Sequence, residues 1–271
     1  MSVFAGEAFH GHSLLAVFAH PDDESLASGG LLACCAARGA RVSLLCLSRG
    51  EIGPGVPADG LPDLASTRAC ELDAAADALG LTEVRLRTHP DGMLPWVGTG
   101  VLASDIRHAI QSTGADVIIT FDDDGLYWHP DHVAVHTATN EVVAAMGRSG
   151  PALYYVTMPP GQMRAVVETA TRRRDASTAV SQRDNVLGVG DPDAFGASAH
   201  SPTLVVRTGR FARRKLEALR CHRTQVATGP FDYLTDDDAE VLLAEEHYRR
   251  AAIGSVTPSF IDRLGVLVAT P

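Results

Sequence analysis

The chain has 271 residues, 45% of them hydrophobic and 21% charged, with a mean hydropathy of +0.04. That composition can bury a sizeable core and excludes disordered, collagen-like and low-complexity classes. The 33 acidic against 23 basic residues give a formal charge of −10, which argues against a nucleic-acid or anionic-membrane partner, because phosphate binding without sequence preference needs a basic face. A small molecule recognised locally fits better.

The predicted elements begin with a strand over 13–18, ended by His20-Pro21, and an Ala/Leu-rich helix over 24–38. A second strand covers 41–47, a Gly- and Pro-rich loop 50–63, and a helix 64–79 that stops at Gly80. A short strand over 83–86, a helix over 101–111 and a β-branched strand over 115–121 follow, then an acidic loop from Asp122 to Asp124 and a helix over 131–146. Strand and helix in alternation imply right-handed βαβ units. The expected fold is therefore α/β, with a Rossmann-like, mostly parallel sheet and helices on both faces.

Beyond residue 150 the pattern is less regular. Strands are expected over 153–158 and 203–207, and helices over 210–221 and 237–250. Between them lies a candidate helix carrying Arg172 to Arg174, then a stretch, 185–200, expected to be a mobile loop that covers a site. With no linker and no internal repeat, the expected organisation is one domain over 1–271. About 13–150 would form the catalytic core and about 151–271 a C-terminal elaboration shaping substrate access.

The five cysteines (Cys34, Cys35, Cys46, Cys70 and Cys221) lack CxxC spacing, which argues against a disulfide framework and a cysteine-type zinc site. The first basic residue is Arg38, so no charged segment precedes the first apolar run, and no apolar stretch approaches the ~20 residues of a membrane span. A cytoplasmic location is the expectation. Lys215 is the only lysine.

Ligands of open α/β sheets bind beyond the carboxyl ends of the strands. The first strand runs there into Ala19-His20-Pro21-Asp22-Asp23-Glu24-Ser25, which lacks the glycine-rich turn of a dinucleotide site. The 115–121 strand leads to Tyr127-Trp128-His129-Pro130-Asp131-His132, with His136 four residues on. Either cluster alone reads equally well as a capped helix start. Both at neighbouring strand exits place several imidazoles and carboxylates at one sheet edge, which suggests a mononuclear metal site with N/O ligands.

The AHPDDES sequence at 19–25 and HPDH at 129–132 resemble the paired signatures of the LmbE-like, PIG-L-type deacetylases. Arg68, Glu71, Ala75 and Leu79-Gly80 match that family's second helix, Pro90-Asp91-Gly92 its P-D-G loop, and Lys215, Ala218, Leu219, His222 and Gln225 a downstream pattern, so the likeness covers about 13–225. The resemblance implies a metal-dependent hydrolase that removes the acetyl group from an N-acetylglucosamine-containing small molecule. It assigns His20, Asp23 and His132 as metal ligands, Asp22 as general base, His129 as stabiliser or proton donor, Asp131 as a tuning partner of a histidine, and Tyr127 as a further oxyanion donor. It also implies Zn²⁺, with Fe²⁺ or Co²⁺ accepted by the same donors. Asp91 is expected to bind sugar hydroxyls, Arg68 an anionic group on the aglycone, Glu51 to line the cleft, and Trp128, where many members carry a small residue, to wall it. His136 and His222 read as structural. The alternatives are an amidase acting on a larger amide of a glucosaminide, and a non-catalytic metal- or sugar-binding module; the second leaves Asp22 without a use.

Overall fold

The computed structural model describes residues 8–53, 63–174, 185–227 and 229–268. In the first part of the chain β1 (Ser13–Phe18), α1 (Asp23–Ala37), β2 (Arg41–Ser48), α2 (Leu64–Leu79) and β3 (Glu83–His89) follow one another. Then come α3 (Leu94–Val97), α4 (Thr99–Thr113), β4 (Val117–Phe121), one irregular turn α5 (Gly125–Trp128) and α6 (Pro130–Met146). The second part holds β5 (Ala152–Thr157), α7 (Gln162–Arg173), β6 (Leu204–Arg207), α8 (Ala212–Cys221), α9 (Arg223–Val226), α10 (Pro230–Tyr233), α11 (Asp236–Leu242), β7 (Glu245–Gly254) and β8 (Gly265–Leu267).

Among the described residues, eight strands form one sheet in the order β3-β2-β1-β4-β5-β7-β6-β8. The first five are parallel and the last three join antiparallel, so the mostly parallel α/β reading holds. From β1 the chain moves to β2 on one side and returns to β4 on the other, which makes the β1/β4 pair the switch point where a crevice opens. Leu14, Leu15, Ala16, Val17 and Phe18 of β1 are completely buried, as a strand covered on both faces requires. Helices α1, α2 and α8 pack together, and α4 packs with α6 as a separate group, as expected when the strand order reverses. Gly30 lets α1 approach the chain before α8, since a Cβ there would lie 2.6 Å from Thr208.

One expectation fails. Residues 245–254, read as the second half of a helix over 237–250, form β7, and only α11 is helical. The run Glu245-Glu246-His247-Tyr248-Arg249-Arg250 carries long polar side chains that suit a helix on composition. In the fold it lies between β5 and β6, paired on both edges (Val156 with Tyr248, Leu204 with Tyr248), and tertiary pairing overrides propensity. The short strand expected over 83–86 also extends to His89. Most of the 50–63 loop lies outside the described residues. Asp236 to Asp238 occupy the first turn of α11, where Asp238 completes a capping box with Thr235.

Candidate metal and catalytic site

The turn between β1 and α1 is conformationally strained. Asp22 has φ 116°, a left-handed conformation costing a non-glycine residue on the order of 1–3 kcal/mol unless its surroundings hold it. Its N–H donates to Glu24 Oε2 (3.0 Å), and Arg68 Nη2 donates to its Oδ2 (2.9 Å). The consequence is that adjacent carboxylates diverge: Asp23 Oδ2 accepts from the His20 N–H (2.8 Å), and its Oδ1 lies 3.3 Å from His132 Nε2.

The exit of β4 is strained too, with φ 68° at Leu126 and 63° at Trp128. Gly125 (φ 54°) allows the turn to close on α6, because a Cβ there would sit 2.9 Å from His132 Cβ. His129 caps α6, its Nδ1 accepting from the Asp131 N–H (3.2 Å), with Pro130 at the first helical position. The His132 ring stacks on Phe121, centroids 3.9 Å apart, and its Nδ1 donates to Gly125 O (3.0 Å). Asp131 accepts from the Gly92 N–H (2.8 Å) and the Leu94 N–H (3.1 Å), tying the 90–94 loop to α6.

These contacts fix both imidazoles. His20 Nε2 faces Asp91 Oδ1 (3.1 Å) and Asp131 Oδ2 (3.2 Å), so it carries a proton, as does His132 Nδ1. The other two nitrogens, His20 Nδ1 and His132 Nε2, face each other at 3.2 Å, with Asp23 oxygens 3.5 and 3.3 Å away. Two facing ring nitrogens beside a carboxylate hold together only with positive charge among them, a proton or a cation. Each of the three separations, two of which run to different oxygens of Asp23, is close to the ~3.4 Å between donors bound about 2.1 Å from a common ion. A carboxylate behind an imidazole is the usual support of a metal-binding histidine. His129 is a third imidazole near the same space, its ring 4.6 Å from His132.

The electrostatics agree. Burial holds His132 down at about 3, and burial together with His20 lowers His129, so both are neutral near pH 7. His20 moves the other way: burial disfavours its charge, but Asp131, Asp23 and Asp91 together raise it well above an ordinary histidine. Burial lifts Asp22 to about 7 against the pull of Arg68, whereas for Asp23 burial is outweighed by His132 and His20, which hold it well below the usual carboxylate range.

A cavity of about 460 Å³ opens over this cluster, within the roughly 300–1,000 Å³ of small-molecule sites. His20, Asp22, Asp23, Arg68, Asp91, Tyr127 and His129 line it, while Asp131 and His132 lie wholly buried behind. Two expectations change, those for Trp128 and Glu51, while Arg68 and Asp91 do line the cavity. Trp128 does not wall the cavity: the left-handed turn leaves it 62% exposed, with its indole N–H donating to Ser198 Oγ (3.0 Å). Glu51 is also absent from the lining and accepts the Asp91 N–H (3.0 Å), bracing the 90–94 loop. Arg68 is engaged by Asp22 and Gly50 O (2.7 Å), and both Asp91 oxygens by His20 and the Ile52 N–H (2.9 Å).

The sequence reading missed several contributors. Leu187, Gly188, Val189 and Phe195 line the cavity, so 185–200 does cover the site. The segment is fastened by Gly196 N–H to Leu126 O (3.1 Å) and by His200 to Asp123 (2.9 Å). Gln225 lines the opposite wall. Glu24 turns away from the cluster to His222, 2.7 Å apart and both fully buried. The signal was the adjacency of Glu24 to Asp22-Asp23, without any clue to its distant partner. His136 is structural as expected, bound to Phe121 O (3.0 Å) and Asn140 (2.7 Å).

Sheet and site define an α/β protein with a cation-seeking N/O cluster at its switch point. The family described as PIG-L, GlcNAc-PI de-N-acetylase, matches residues 15–143, the span from β1 to α6. A 1D-myo-inositol 2-acetamido-2-deoxy-alpha-D-glucopyranoside deacetylase of Kineococcus radiotolerans is 32% identical over 277 residues, covering 87% of this chain and 76% of that protein. The chain belongs to the PIG-L family. Among solved structures, N,N'-diacetylchitobiose deacetylase from Pyrococcus horikoshii shares the fold at TM-score 0.60 and 19% identity, covering 88% of this chain and 83% of that one. The 4-carboxy-2-hydroxymuconate hydratase GalB of Pseudomonas putida does so at TM-score 0.61 and 17% identity, covering 92% and 97%. A deacetylase and a hydratase on one fold show that the site, not the sheet, decides the chemistry.

Proposed function

We propose that the chain is a metal-dependent N-deacetylase acting on a small molecule that contains N-acetylglucosamine. The observation that carries the reading is the facing pair of imidazole nitrogens, His20 Nδ1 and His132 Nε2, 3.2 Å apart, each flanked by one oxygen of Asp23. These three residues would hold Zn²⁺, and Fe²⁺ or Co²⁺ suit the same donors. When bound, such an ion polarises the acetyl carbonyl and makes a nearby water more acidic.

The chain's own groups supply the rest. Asp22, next to the three proposed ligands but turned from them, takes a proton from the attacking water as the new C–O bond forms, and a value near 7 suits both taking and returning it. His129 accepts at Nδ1 from Asp131, so its neutral ring carries the proton on Nε2 and can donate a hydrogen bond to the developing oxyanion, with the Tyr127 hydroxyl as a second donor. Asp22 then returns its proton to the leaving nitrogen as the C–N bond breaks, which frees acetate and the amine. Arg68 holds Asp22 in place, and Asp91 and Asp131 orient His20.

The 185–200 segment and the rest of the C-terminal half would shape access within a single catalytic domain. Among the described residues no helix is long and apolar enough to cross a membrane, which is compatible with the cytoplasmic location proposed here. The relatives' names support a sugar-conjugate substrate, and the acidic composition supports a partner other than nucleic acid. The test is metal analysis of the purified protein together with acetate release from N-acetylglucosaminides, set against release of larger acyl groups. Acetate release that depends on bound metal is expected; preferred release of a larger acyl group would favour the amidase reading, and metal binding without turnover a non-catalytic module.

A further inference from the structure

We propose that Glu24 and His222 form a positioning pair that holds Asp22 in its working conformation; the inference rests on the reading of Asp22 as the proton-transferring group. Asp22 is gripped at both ends. Arg68 of α2 takes its carboxylate, and Glu24 Oε2 takes its peptide N–H, which at the start of α1 has no helix carbonyl to bond. The other oxygen of Glu24 accepts from Ser25 Oγ (2.6 Å) and His222 Nε2 (2.7 Å). Glu24, Ser25 and His222 are all fully buried.

His222 sits at the corner between α8 and α9, almost 200 residues from Glu24 in sequence. That corner is fixed to α2, because Thr224 donates to Glu71 from both its N–H (2.8 Å) and its hydroxyl (2.6 Å). Arg68 and Glu71 lie one turn apart on α2, so one helix anchors both grips on Asp22. The second nitrogen of His222, Nδ1, is buried without a hydrogen-bond partner among the described residues. Its single polar contact network is directed at Glu24 and Ser25. Without an acceptor for its N–H, Asp22 would relax to negative φ and swing its carboxylate off Arg68 and away from the reacting centre.

The test compares Glu24→Ala, Glu24→Gln, His222→Ala and Asp22→Ala with the wild type. It measures acetate release from an N-acetylglucosaminide, metal content, melting temperature and crystal structure. Displacing a positioned group costs about 10²-fold in rate, so Glu24→Ala is expected to lose roughly that in kcat, with KM and metal content unchanged. Glu24→Gln should recover most of the loss, since its amide oxygen still accepts from Asp22 and its amide still meets His222. His222→Ala, which leaves Glu24 in place but unbraced, should fall between them and carries the test if Glu24→Ala does not fold. The structure of a folded variant should show Asp22 φ relaxed from 116°. Wild-type kcat in Glu24→Ala, a glutamine variant no better than the alanine one, a loss confined to melting temperature, or an unmoved Asp22 would each overturn the proposal. Failure of the underlying reading is separate: it appears as full activity in Asp22→Ala or no acetate release by the wild type, and the crystallographic arm still decides the positioning claim.

Discussion

The donor atoms around His20 come from residues 20–132, whereas the residues that brace α1 and roof the cavity come largely from 185–249. In the first region polar side chains point at one another across a space and bring ring nitrogens face to face, as His20 Nδ1 and His132 Nε2 are at 3.2 Å. In the second region, His222 Nδ1 apart, the buried polar side chains close on their partners. Glu246 receives Lys215 Nζ (2.6 Å), the N–H groups of Gly30 (2.8 Å) and Leu31 (2.7 Å), and the Tyr248 hydroxyl (2.9 Å). Buried Asp122 likewise takes Arg249 Nε (2.8 Å). Satisfied networks stabilise a fold, and unsatisfied convergent ones mark chemistry. The comparison therefore predicts that lesions in the first cluster remove function and lesions in the closed networks around Glu246 remove stability.

The largest effect is expected for His132→Ala, which removes one of the three proposed metal ligands. Metal content should fall to a small fraction of the wild type, and activity with it by more than about 10³-fold. Elemental analysis after purification checks this, and unchanged stoichiometry takes His132 off the ligand list. Asp22→Asn sharpens the point from the other side. It should keep the metal and lose about 10²–10⁴-fold in kcat, the usual contribution of a general base. Full turnover in that variant would break the mechanism while leaving the metal site intact.

Lys215→Met tests the second region. It strips the cation from a pair in which both side chains are almost fully buried. Breaking such a pair costs about 3–5 kcal/mol. Because three other donors remain on Glu246, the lower end is expected, and thermal unfolding should move down by roughly 6–12 °C. Metal content and kcat at 25 °C should stay near the wild type. If Lys215→Met lost its metal while keeping its melting temperature, the division between the two regions would be wrong.

The first region was legible in the sequence because its residues sit in two short runs at strand exits, where the βαβ rule already places a ligand. AHPDDE and HPDH needed only the sheet to bring them together. The second region was not legible, for a physical reason that β7 illustrates. Glu246, Tyr248 and Arg249 earn their strand from pairing with β5 and β6 and from partners 30 to more than 200 residues away, and no local pattern encodes that. Trp128 shows the same limit at shorter range: its position beside His129 suggested a wall, but the φ of 63° that turns it outward is set by how α5 closes on α6.

The Glu24 and His222 pair lies across the boundary between the regions, and its pH behaviour says to which it belongs energetically. For His222 burial disfavours the charge but Glu24 outweighs it, so its folded value lies above the ordinary 6.5; that contribution is complete below pH 6.5 and is lost as pH rises through the raised value. Glu24 is the reverse: burial is outweighed by His222, its folded value lies below 4.5, and its contribution holds above pH 4.5 and is lost on acidification. The stability difference between wild type and His222→Gln should therefore be largest between about pH 4.5 and 6.5 and should shrink as pH rises through the raised His222 value. Chemical denaturation at several pH values checks this, and a flat difference would mean that the pair contributes shape without charge.

The smallest effect is expected at the roof. His200 and Asp123 are both exposed, so their contact should contribute at most about 1 kcal/mol. Trp128 holds Ser198 through one indole hydrogen bond at the surface. Removing both contacts, as in the double variant Trp128→Phe/His200→Asn, loosens 185–200 at one end while the Gly196 N–H still binds Leu126 O and Phe195 still packs on Tyr127, ring centroids 4.8 Å apart. Melting temperature and metal content should not move. KM should rise by about two- to fivefold with kcat nearly constant, the signature of an element that helps bind substrate without touching the bond being broken. A fall in kcat at constant KM would instead mean that the roof acts through Tyr127 on the reacting centre, and the functional boundary drawn at α6 would then have to move to include Phe195.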